Sequence, residues 1–277
     1  MQFITKYKRY IALWLVFEAI AVFLWLLLGK TFYLFNFTYI GTVATLGLAM
    51  TTSGVKHARM MVQFAVGLYM LLYLGYARGE NMQIEGFWYY LSLGVFHASV
   101  IHYIVAKIAG PLVFGRAFCG YGCWTALALD FLPYKKPQHP RHDKLESLRI
   151  VFFLLSILCC FLFFKVDPAR REQVVFASFI IGNLLYYAIG ILLAFLFKDN
   201  RAFCKYICPI TMFLKPASYF ARIRIEVDAD TCISCGKCTK ACPMNVDMLD
   251  IRRSRKNGTE CILCYECKMS CPVKAIR

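Results

Sequence analysis

The chain has 277 residues and a formal net charge of +16, with 60% hydrophobic and 17% charged residues. This hydrophobic content exceeds the roughly 45–50% of soluble domains, so the composition excludes a disordered chain and argues against an ordinary soluble domain. The long apolar segments are too many for the core of a water-soluble domain and need another apolar environment. The spacing of the 14 cysteines indicates the role of the cysteines.

Six apolar segments are candidate membrane spans, because about 20 mostly apolar residues cross a bilayer as a helix. They lie at residues 10–29, 32–54, 60–77, 87–109, 150–166 and 174–197. The first follows Lys6, Lys8 and Arg9, as the core of a signal peptide would. It is too long for that role and no small-residue cleavage site follows, so we interpret it as a retained anchor. The fifth is short enough to be a re-entrant helix instead.

The distribution of Lys and Arg predicts the orientation. If the N-terminus is inside, the short inside segments hold 12 of these residues and the outside loops hold 5. This bias predicts a multi-pass protein of a prokaryotic cytoplasmic membrane with both termini on the cytoplasmic side. It also accounts for most of the net charge, and since no recognition motif is visible we expect no binding to nucleic acid.

Two short cysteine motifs are copies of each other. Residues 116–123 read R-A-F-C-G-Y-G-C and residues 201–208 read R-A-F-C-K-Y-I-C, so six of eight positions match at an offset of 85. The third and fourth spans, moved by the same offset, fall close to the fifth and sixth. We therefore predict a unit of two helices and a C-x3-C motif, used twice about an axis along the membrane normal.

The pairs Cys119/Cys123 and Cys204/Cys208 have the spacing that puts two side chains on one helix face. Two facing pairs would bring four thiolates around one point, which suits a third iron–sulfur cluster or a soft metal ion. Redox-active thiols without metal, or incidental cysteines, are the alternatives. Arg116 in the first copy, like its counterpart Arg201, either offsets thiolate charge or extends to lipid headgroups.

Two longer cysteine rows follow, at residues 232–243 and 261–272, and each reads C-x2-C-x2-C-x3-C-P. In bacterial ferredoxins three cysteines of such a row bind one [4Fe-4S] cluster and the fourth binds the other. The predicted ligands of the first cluster are Cys232, Cys235, Cys238 and Cys271, and those of the second are Cys261, Cys264, Cys267 and Cys242. Zinc and disulfides fit the spacing and the compartment less well. The alternating segment 222–230 predicts a strand, and Asn257 with Gly258 a turn.

Together these motifs resemble the membrane polyferredoxins of the NapH, NosR and CcoG types, over residues 60–277. The resemblance implies an oxidoreductase subunit that takes electrons from quinol and passes them to a partner reductase. Its CcoG branch implies instead reduction of copper during assembly of a respiratory enzyme. Pro209 matches the family motif, whereas Trp124 stands where the family has proline, and the flavin domain of the larger members is absent.

The predicted fold is a membrane all-α bundle, residues 1–221, followed by a small α+β ferredoxin-like domain with two [4Fe-4S] clusters, residues 222–277. Because Cys208 and Cys232 are only 24 positions apart, we expect electrons to pass between the C-x3-C site, the first cluster, the second cluster and a redox partner. A ferredoxin-driven transporter is a weaker alternative.

Three ionisable residues inside the apolar segments are candidates for a quinone site: Glu18, His97 and His102. Charged groups within a bilayer are costly and are functional candidates for that reason, and oxidation of a quinol requires a proton acceptor. The alternative is that each makes a hydrogen-bonded contact between helices, and haem ligation by one of the histidines is a further possibility.

Overall fold

A computed structural model describes residues 2–55, 57–249 and 258–277, with side chains from residue 7 onward. Helices dominate this part of the chain. The α-helices are α1 (Gln2–Leu28), α2 (Thr31–Thr52), α3 (Ala58–Leu68), α4 (Ile84–Ser92), α5 (Ala98–His102), α6 (Gly110–Phe114), α7 (Ala117–Tyr121), α8 (Trp124–Asp130), α9 (Leu148–Lys165), α10 (Pro168–Phe197), α11 (Ala202–Tyr206), α12 (Thr211–Tyr219), α13 (Lys237–Ala241) and α14 (Glu266–Ser270). Two π-helices, Tyr69–Ala77 and Tyr103–Ala109, extend α3 and α5, and a 3-10 helix, Asp143–Ser147, precedes α9.

Five helices of the described chain are long and apolar enough to cross a membrane: Tyr7–Leu28, Thr31–Thr52, Ala58–Ala77, Asp143–Lys165 and Pro168–Phe197. Their outward faces carry large apolar side chains, such as Leu26 and Leu192, which are 71% and 66% exposed. A helix satisfies its own backbone hydrogen bonds, so such faces suit contact with lipid. The 3-10 turn lengthens the fifth predicted segment to a full span, and the re-entrant alternative is not observed.

The fourth predicted span, 87–109, is wrong as a single helix. Helix α4 ends at Ser92, and Gly94 then adopts φ +67, a conformation that favours glycine. The chain turns back and α5 begins at Ala98, whose N–H donates to the Glu80 carboxylate at 2.9 Å. A shorter apolar helix, Ala98–Phe114, leads from there to the first C-x3-C motif.

The C-terminal part of the chain is small and almost without regular structure. Residues 222–249 and 258–277 contain two one-turn helices, α13 and α14, and one antiparallel bridge between Val227 and Ile276. The strand expected at 222–230 is therefore reduced to that bridge, and the described residues form no sheet. Asn257 of the expected turn lies outside the described residues.

One end of the bundle collects all the cysteine motifs. The hydroxyl of Tyr10, near the start of α1, contacts that of Thr52 at the end of α2. Tyr265, between the cysteines of the last row, lies within electrostatic range of Tyr10 and Arg9. The ferredoxin-like part therefore sits at the same end of the bundle as the start of α1, as the predicted topology requires.

Candidate metal centres

The two C-x3-C motifs have the same backbone conformation. In each copy the first cysteine lies on a one-turn helix, α7 or α11, and the second cysteine follows the end of that helix. The N–H of Cys123 donates to the carbonyl of Phe118 at 3.1 Å, and the N–H of Cys208 donates to that of Phe203 at 3.0 Å. The predicted pair of cysteines on one helix face is therefore not observed as such. In both copies the helix ends before the second cysteine, and a turn brings that cysteine back toward the first.

The structure brings the two motifs together. Cys204 lies within electrostatic range of the other three cysteines of the motifs, namely Cys119, Cys123 and Cys208. Burial raises the pKa of the Cys204 thiol to about 12, although the nearby Arg201 opposes this. Within the described residues, no three Cys, His, Asp or Glu side chains lie close enough to hold a single metal ion. In a cubane each cysteine binds a different iron, so its four ligands stand further apart than those of one ion.

The arginine of each motif reaches across to the other motif. Arg201 donates to the carbonyl of Cys119 at 3.0 Å, and Arg116 donates to the carbonyl of Cys204 at 3.4 Å. Both arginines are buried, at 1% and 0% exposed. They do not extend to lipid headgroups. Instead they fasten the two copies together and put positive charge beside the four sulfurs.

Each of these arginines is held by one carboxylate. Asp130, at the end of α8, accepts from Arg201 at 2.6 Å. Glu260, just before the last cysteine row, accepts from Arg116 and, at 3.0 Å each, from Arg141 and Arg149. Burial opposes its ionisation, but the three guanidinium groups hold the pKa of Glu260 well below its usual range.

Two buried lysines, Lys107 and Lys205, also adjoin the cysteines, and neither was among the predicted site residues. Lys205, within the second motif, donates to Asp199 at 2.7 Å and lies within electrostatic range of Cys242. Lys107 lies near Cys123 and Cys119 of the first motif. For Lys107, the sequence shows a single lysine near the end of an apolar segment. The sequence alone does not distinguish such a buried lysine from a lysine in a loop.

The cysteines assigned to the first ferredoxin cluster line one cavity. Its wall is formed by Cys232, Cys235, Cys238 and Cys271 together with apolar side chains, including Val227, Leu249 and Ile276. The fourth cysteine thus joins the first three across the two rows. The N–H of Ala275 donates to its sulfur, Cys271 Sγ, at 3.3 Å. A thiolate-lined cavity with an N–H directed at sulfur fits a [4Fe-4S] cluster.

The cysteines assigned to the second cluster also share a neighbourhood. Cys267 lies within electrostatic range of its three expected partners, Cys264, Cys261 and Cys242. The N–H of Val246 donates to Cys242 Sγ at 3.4 Å, which repeats the bond to Cys271 in the other half. Each fourth cysteine therefore lies near three cysteines of the other row, and their exchange as cluster ligands stays a prediction.

The second row, and not the first, lies against the C-x3-C site. The hydroxyl of Tyr121, between Cys119 and Cys123, donates to the carbonyl of Leu263 at 3.1 Å. A Cβ on Gly120 would lie 2.6 Å from the carbonyl oxygen of Ile262, so only glycine allows this approach. The expected order of the two sites is therefore reversed: the predicted site of Cys261, Cys264, Cys267 and Cys242 is the inner one, and the predicted site of Cys232, Cys235, Cys238 and Cys271 is the outer one.

Comparisons with known proteins match the cysteine-bearing segments to iron–sulfur families. A 4Fe-4S dicluster domain family matches residues 224–272. A 4Fe-4S binding domain family matches twice, at residues 96–136 and 179–227, and so covers both C-x3-C motifs. The search of solved structures gave no match.

Four curated relatives match part of the chain. The methylamine utilization ferredoxin-type protein MauN of Paracoccus denitrificans is 28% identical over 48% of this chain and 50% of its own length. The putative electron transport protein YccM of Escherichia coli is 36% identical over 54% and 47%. An uncharacterized protein of Methanocaldococcus jannaschii is 24% identical over 55% and 61%. The chain spans between about half and two thirds of the length of these relatives.

The chain fits a membrane polyferredoxin family. It combines segments that match 4Fe-4S domain families with five helices long and apolar enough to cross a membrane in the described part of the chain. Together with the names of the relatives, they support an iron–sulfur electron-transfer protein.

The three quinone candidates have different surroundings. Glu18 accepts from Thr38 at 2.9 Å between α1 and α2. His97 is half-buried, 3.7 Å from Glu80. His102 is buried next to the first C-x3-C motif, with its ring 5.0 Å from that of Phe118, and its Nε2 has no hydrogen-bond partner. Only the last of them adjoins the cysteines.

A further buried acid was missed in the sequence analysis. Glu85, in α4, accepts from Asn81 at 3.4 Å and forms no ion pair with any described residue. It lies within electrostatic range of the buried Tyr103 and the half-buried Tyr186, which are themselves near Cys208. Glu85 was missed because the predicted span began at residue 87, which placed Glu85 in an outside loop.

Proposed function

We propose that the chain carries electrons between a quinol in the membrane and a soluble redox partner on the cytoplasmic side. The observation that carries this proposal is the contact between the first C-x3-C motif and the inner cysteine row at Tyr121 and Gly120. It supports an unbroken series of three centres: the C-x3-C site, the inner cluster and the outer cluster. The chain would then be the membrane subunit of an oxidoreductase.

The C-x3-C site would hold a third [4Fe-4S] cluster, on Cys119, Cys123, Cys204 and Cys208. When bound, the cluster supplies a centre that accepts and gives up one electron at a time. The protein supplies four sulfurs, two guanidinium groups that lock the motifs together, and a buried lysine. This surplus of buried positive charge favours an anionic thiolate-ligated centre.

Oxidation of a quinol releases two electrons and two protons, so the entry of electrons requires a proton acceptor beside the C-x3-C site. His102 is the candidate best placed for this role, because its unpartnered Nε2 lies beside Phe118 of the motif. Glu18 and His97 are further candidates for a quinone site, on other faces of the bundle.

The outer cluster is the exit toward the partner. Cys235 is exposed, and the adjacent helix α13 carries the exposed lysines Lys237 and Lys240. Positive charge around an exposed redox centre attracts an acidic partner surface and speeds the encounter. The partner is therefore an acidic redox protein in the cytoplasm.

The competing function is reduction or transfer of copper during assembly of a respiratory enzyme. Soft thiolates also suit Cu(I), so a set of four cysteines would serve this function too. The two functions differ in what the C-x3-C site holds and in whether quinol reduces the clusters.

The test uses the full chain, purified anaerobically in detergent, with metal analysis and EPR. Three cubanes give about twelve irons per chain and two give about eight. We expect about twelve in the wild type and reduction of its clusters by duroquinol. The paired variant Cys119→Ser/Cys204→Ser should lose about four irons and its reduction by duroquinol, while dithionite still reduces the remaining clusters.

The matched control is Cys159→Ser, a cysteine of α9 outside all the motifs. This variant should keep its iron content and its reduction by duroquinol. If the paired variant stays reducible by duroquinol but no longer binds copper, the assembly function is correct and the electron path through the motif is wrong.

A further inference from the structure

Lys107 is a buried cation without a carboxylate. It is 2% exposed, within the π-helix that leads to the first C-x3-C motif, and it forms no salt bridge in the described part of the chain. Its Nζ lies 3.2 Å from the centre of the Phe118 ring. The other buried cations at this level each have an acid: Arg116 has Glu260, Arg201 has Asp130 and Lys205 has Asp199.

A buried ammonium group needs an anion or another compensating group, since transfer of an isolated charge from water is very costly. The face of one aromatic ring compensates only in part, by about 2 kcal/mol or somewhat more when desolvated. The groups that Lys107 faces are the sulfurs of Cys123, Cys119 and Cys208, in that order of electrostatic effect. Arg116 is its nearest competing cation and is already paired.

We propose that Lys107 is a positioning residue for the centre held by the four C-x3-C cysteines, and that its charge raises the reduction potential of that centre. This inference rests on the proposed function, because it needs an anionic group on these cysteines. Addition of one electron makes such a group more negative, so a fixed neighbouring cation stabilises the reduced form more than the oxidised form. Only the electron moves in this step.

Lys107 lies against Phe118, next to Cys119, and close to Cys123 and Cys208 of the C-x3-C site. It forms no ion pair with a described residue of either ferredoxin row. Removal of the Lys107 charge should therefore change the reduction potential of the C-x3-C centre and leave those of the two ferredoxin clusters unchanged. A general loss of structure would change all three reduction potentials, so this selectivity identifies a charge effect.

The experiment compares Lys107→Met and Lys107→Arg with the wild type, as the full chain in detergent under anaerobic conditions. Iron and copper per chain are measured, followed by an EPR redox titration of each centre. In Lys107→Met we expect the midpoint potential of the C-x3-C centre to fall by about 59 mV, a ten-fold change for a one-electron couple. The two ferredoxin midpoints should not move, and Lys107→Arg should stay close to the wild type.

The control is Lys165→Met, which removes an exposed lysine at the other end of the bundle and should leave all three midpoints unchanged. Loss of the third cluster in Lys107→Met but not in Lys107→Arg also supports the charge role. An unmoved third midpoint in Lys107→Met, with about twelve irons retained, overturns the inference alone. Loss of the cluster in both variants overturns it as well, because size and not charge would then matter. A wild type with about eight irons and no other metal overturns the proposed third cluster and the inference with it.

Discussion

The two ferredoxin rows have the same sequence pattern and the same backbone, yet they face opposite environments. Each begins C-I-x-C, and the third residue, Ser234 or Leu263, adopts a positive φ of 52 or 51. The isoleucines at matching positions differ sharply: Ile233 is 61% exposed and Ile262 is 2% exposed. The cysteine spacing thus determines where a cluster is held, while the residues between the cysteines determine what the cluster faces.

The inner row is buried because it is docked and not because its motif differs. Glu260 precedes its first cysteine and binds three arginines of the membrane part. Leu263 accepts a hydrogen bond from Tyr121. The outer row has an exposed cysteine, Cys235, at the position where the inner row has the buried Cys264. One row is thereby a fixed connection to the bundle and the other is available to a partner.

Loss of one cluster from each row is the strongest way to break this comparison. Cys264→Ser should remove the inner cluster and stop electrons from duroquinol before the outer cluster. Cys235→Ser should remove the outer cluster and leave the inner one reducible by duroquinol. Each variant should lose about four irons, and EPR after addition of duroquinol shows which cluster is reduced.

The two variants control for each other, since each removes one thiolate of the same ferredoxin-like domain. Equal loss of reduction by duroquinol in both would contradict the assignment of inner and outer clusters. Reduction of the outer cluster in Cys264→Ser would show a path that bypasses the inner row.

The next largest effect is expected from Glu260→Gln, which leaves the buried guanidinium groups of Arg116 and Arg149 and the partly buried one of Arg141 without their shared carboxylate. Removal of one partner from a buried ion pair costs about 3–5 kcal/mol. We expect a loss of that order in the free energy of unfolding, followed by cluster absorbance in denaturant. The control is Glu146→Gln, which pairs with Arg141 at 2.6 Å and with Arg149 and Lys215, but has a 23% exposed side chain. Because these pairs are partly solvated, the loss of each should cost about 1 kcal/mol or less.

The contribution of Glu260 has a defined pH range. Its pKa is lowered in the folded protein, so the stabilisation is complete above the unfolded value of about 4.3. It is lost as the pH falls through the lower, folded value. The difference in unfolding free energy between wild type and Glu260→Gln should therefore stay constant from pH 7 to pH 5. A difference that halves over this range would mean that the guanidinium groups do not depress this pKa.

Tyr121→Phe removes the hydroxyl that binds the Leu263 carbonyl at 3.1 Å. Leu263 is buried, so its carbonyl would be left without this donor, and we expect the free energy of unfolding to fall by about 1–3 kcal/mol. The measurement is the unfolding free energy, with Tyr219→Phe, a 43% exposed tyrosine, as the control of no expected effect. An equal effect in both variants would mean that this bond does not hold the inner row in place.

The grouping of the cysteines could be predicted from the sequence because the information for it is local. A C-x2-C-x2-C row encodes its own loop, and the structure gathers Cys232, Cys235, Cys238 and Cys271 around one cavity as the spacing indicates. The helices of high hydropathy were likewise predictable, since a bilayer requires about 20 apolar residues whatever they pack against. Cluster occupancy stays a prediction.

The order of the clusters and the break in the fourth span were not predictable in this way. Both depend on contacts between distant residues: Glu260 with Arg116, and Glu80 with the N–H of Ala98. Proximity in sequence suggested that Cys232 lies nearest the C-x3-C site, but the chain returns, and the last row docks there instead. A buried polar residue such as Glu85 has no periodicity that distinguishes it from a loop residue.

The smallest expected effect concerns the residue after the second cysteine of each row, Gly236 or Tyr265. Both adopt a positive φ, 71 and 61, so the inner row carries a strain that glycine avoids in the outer row. A Cβ on Gly236 would meet only Leu249 Cδ1, at 4.0 Å, and space is therefore not limiting. Gly236→Ala should cost about 1 kcal/mol of unfolding free energy through backbone strain, with unchanged iron content. Since Tyr265 already tolerates this conformation beside a cluster, loss of the outer cluster in Gly236→Ala would show that the two rows differ in backbone as well as in surroundings.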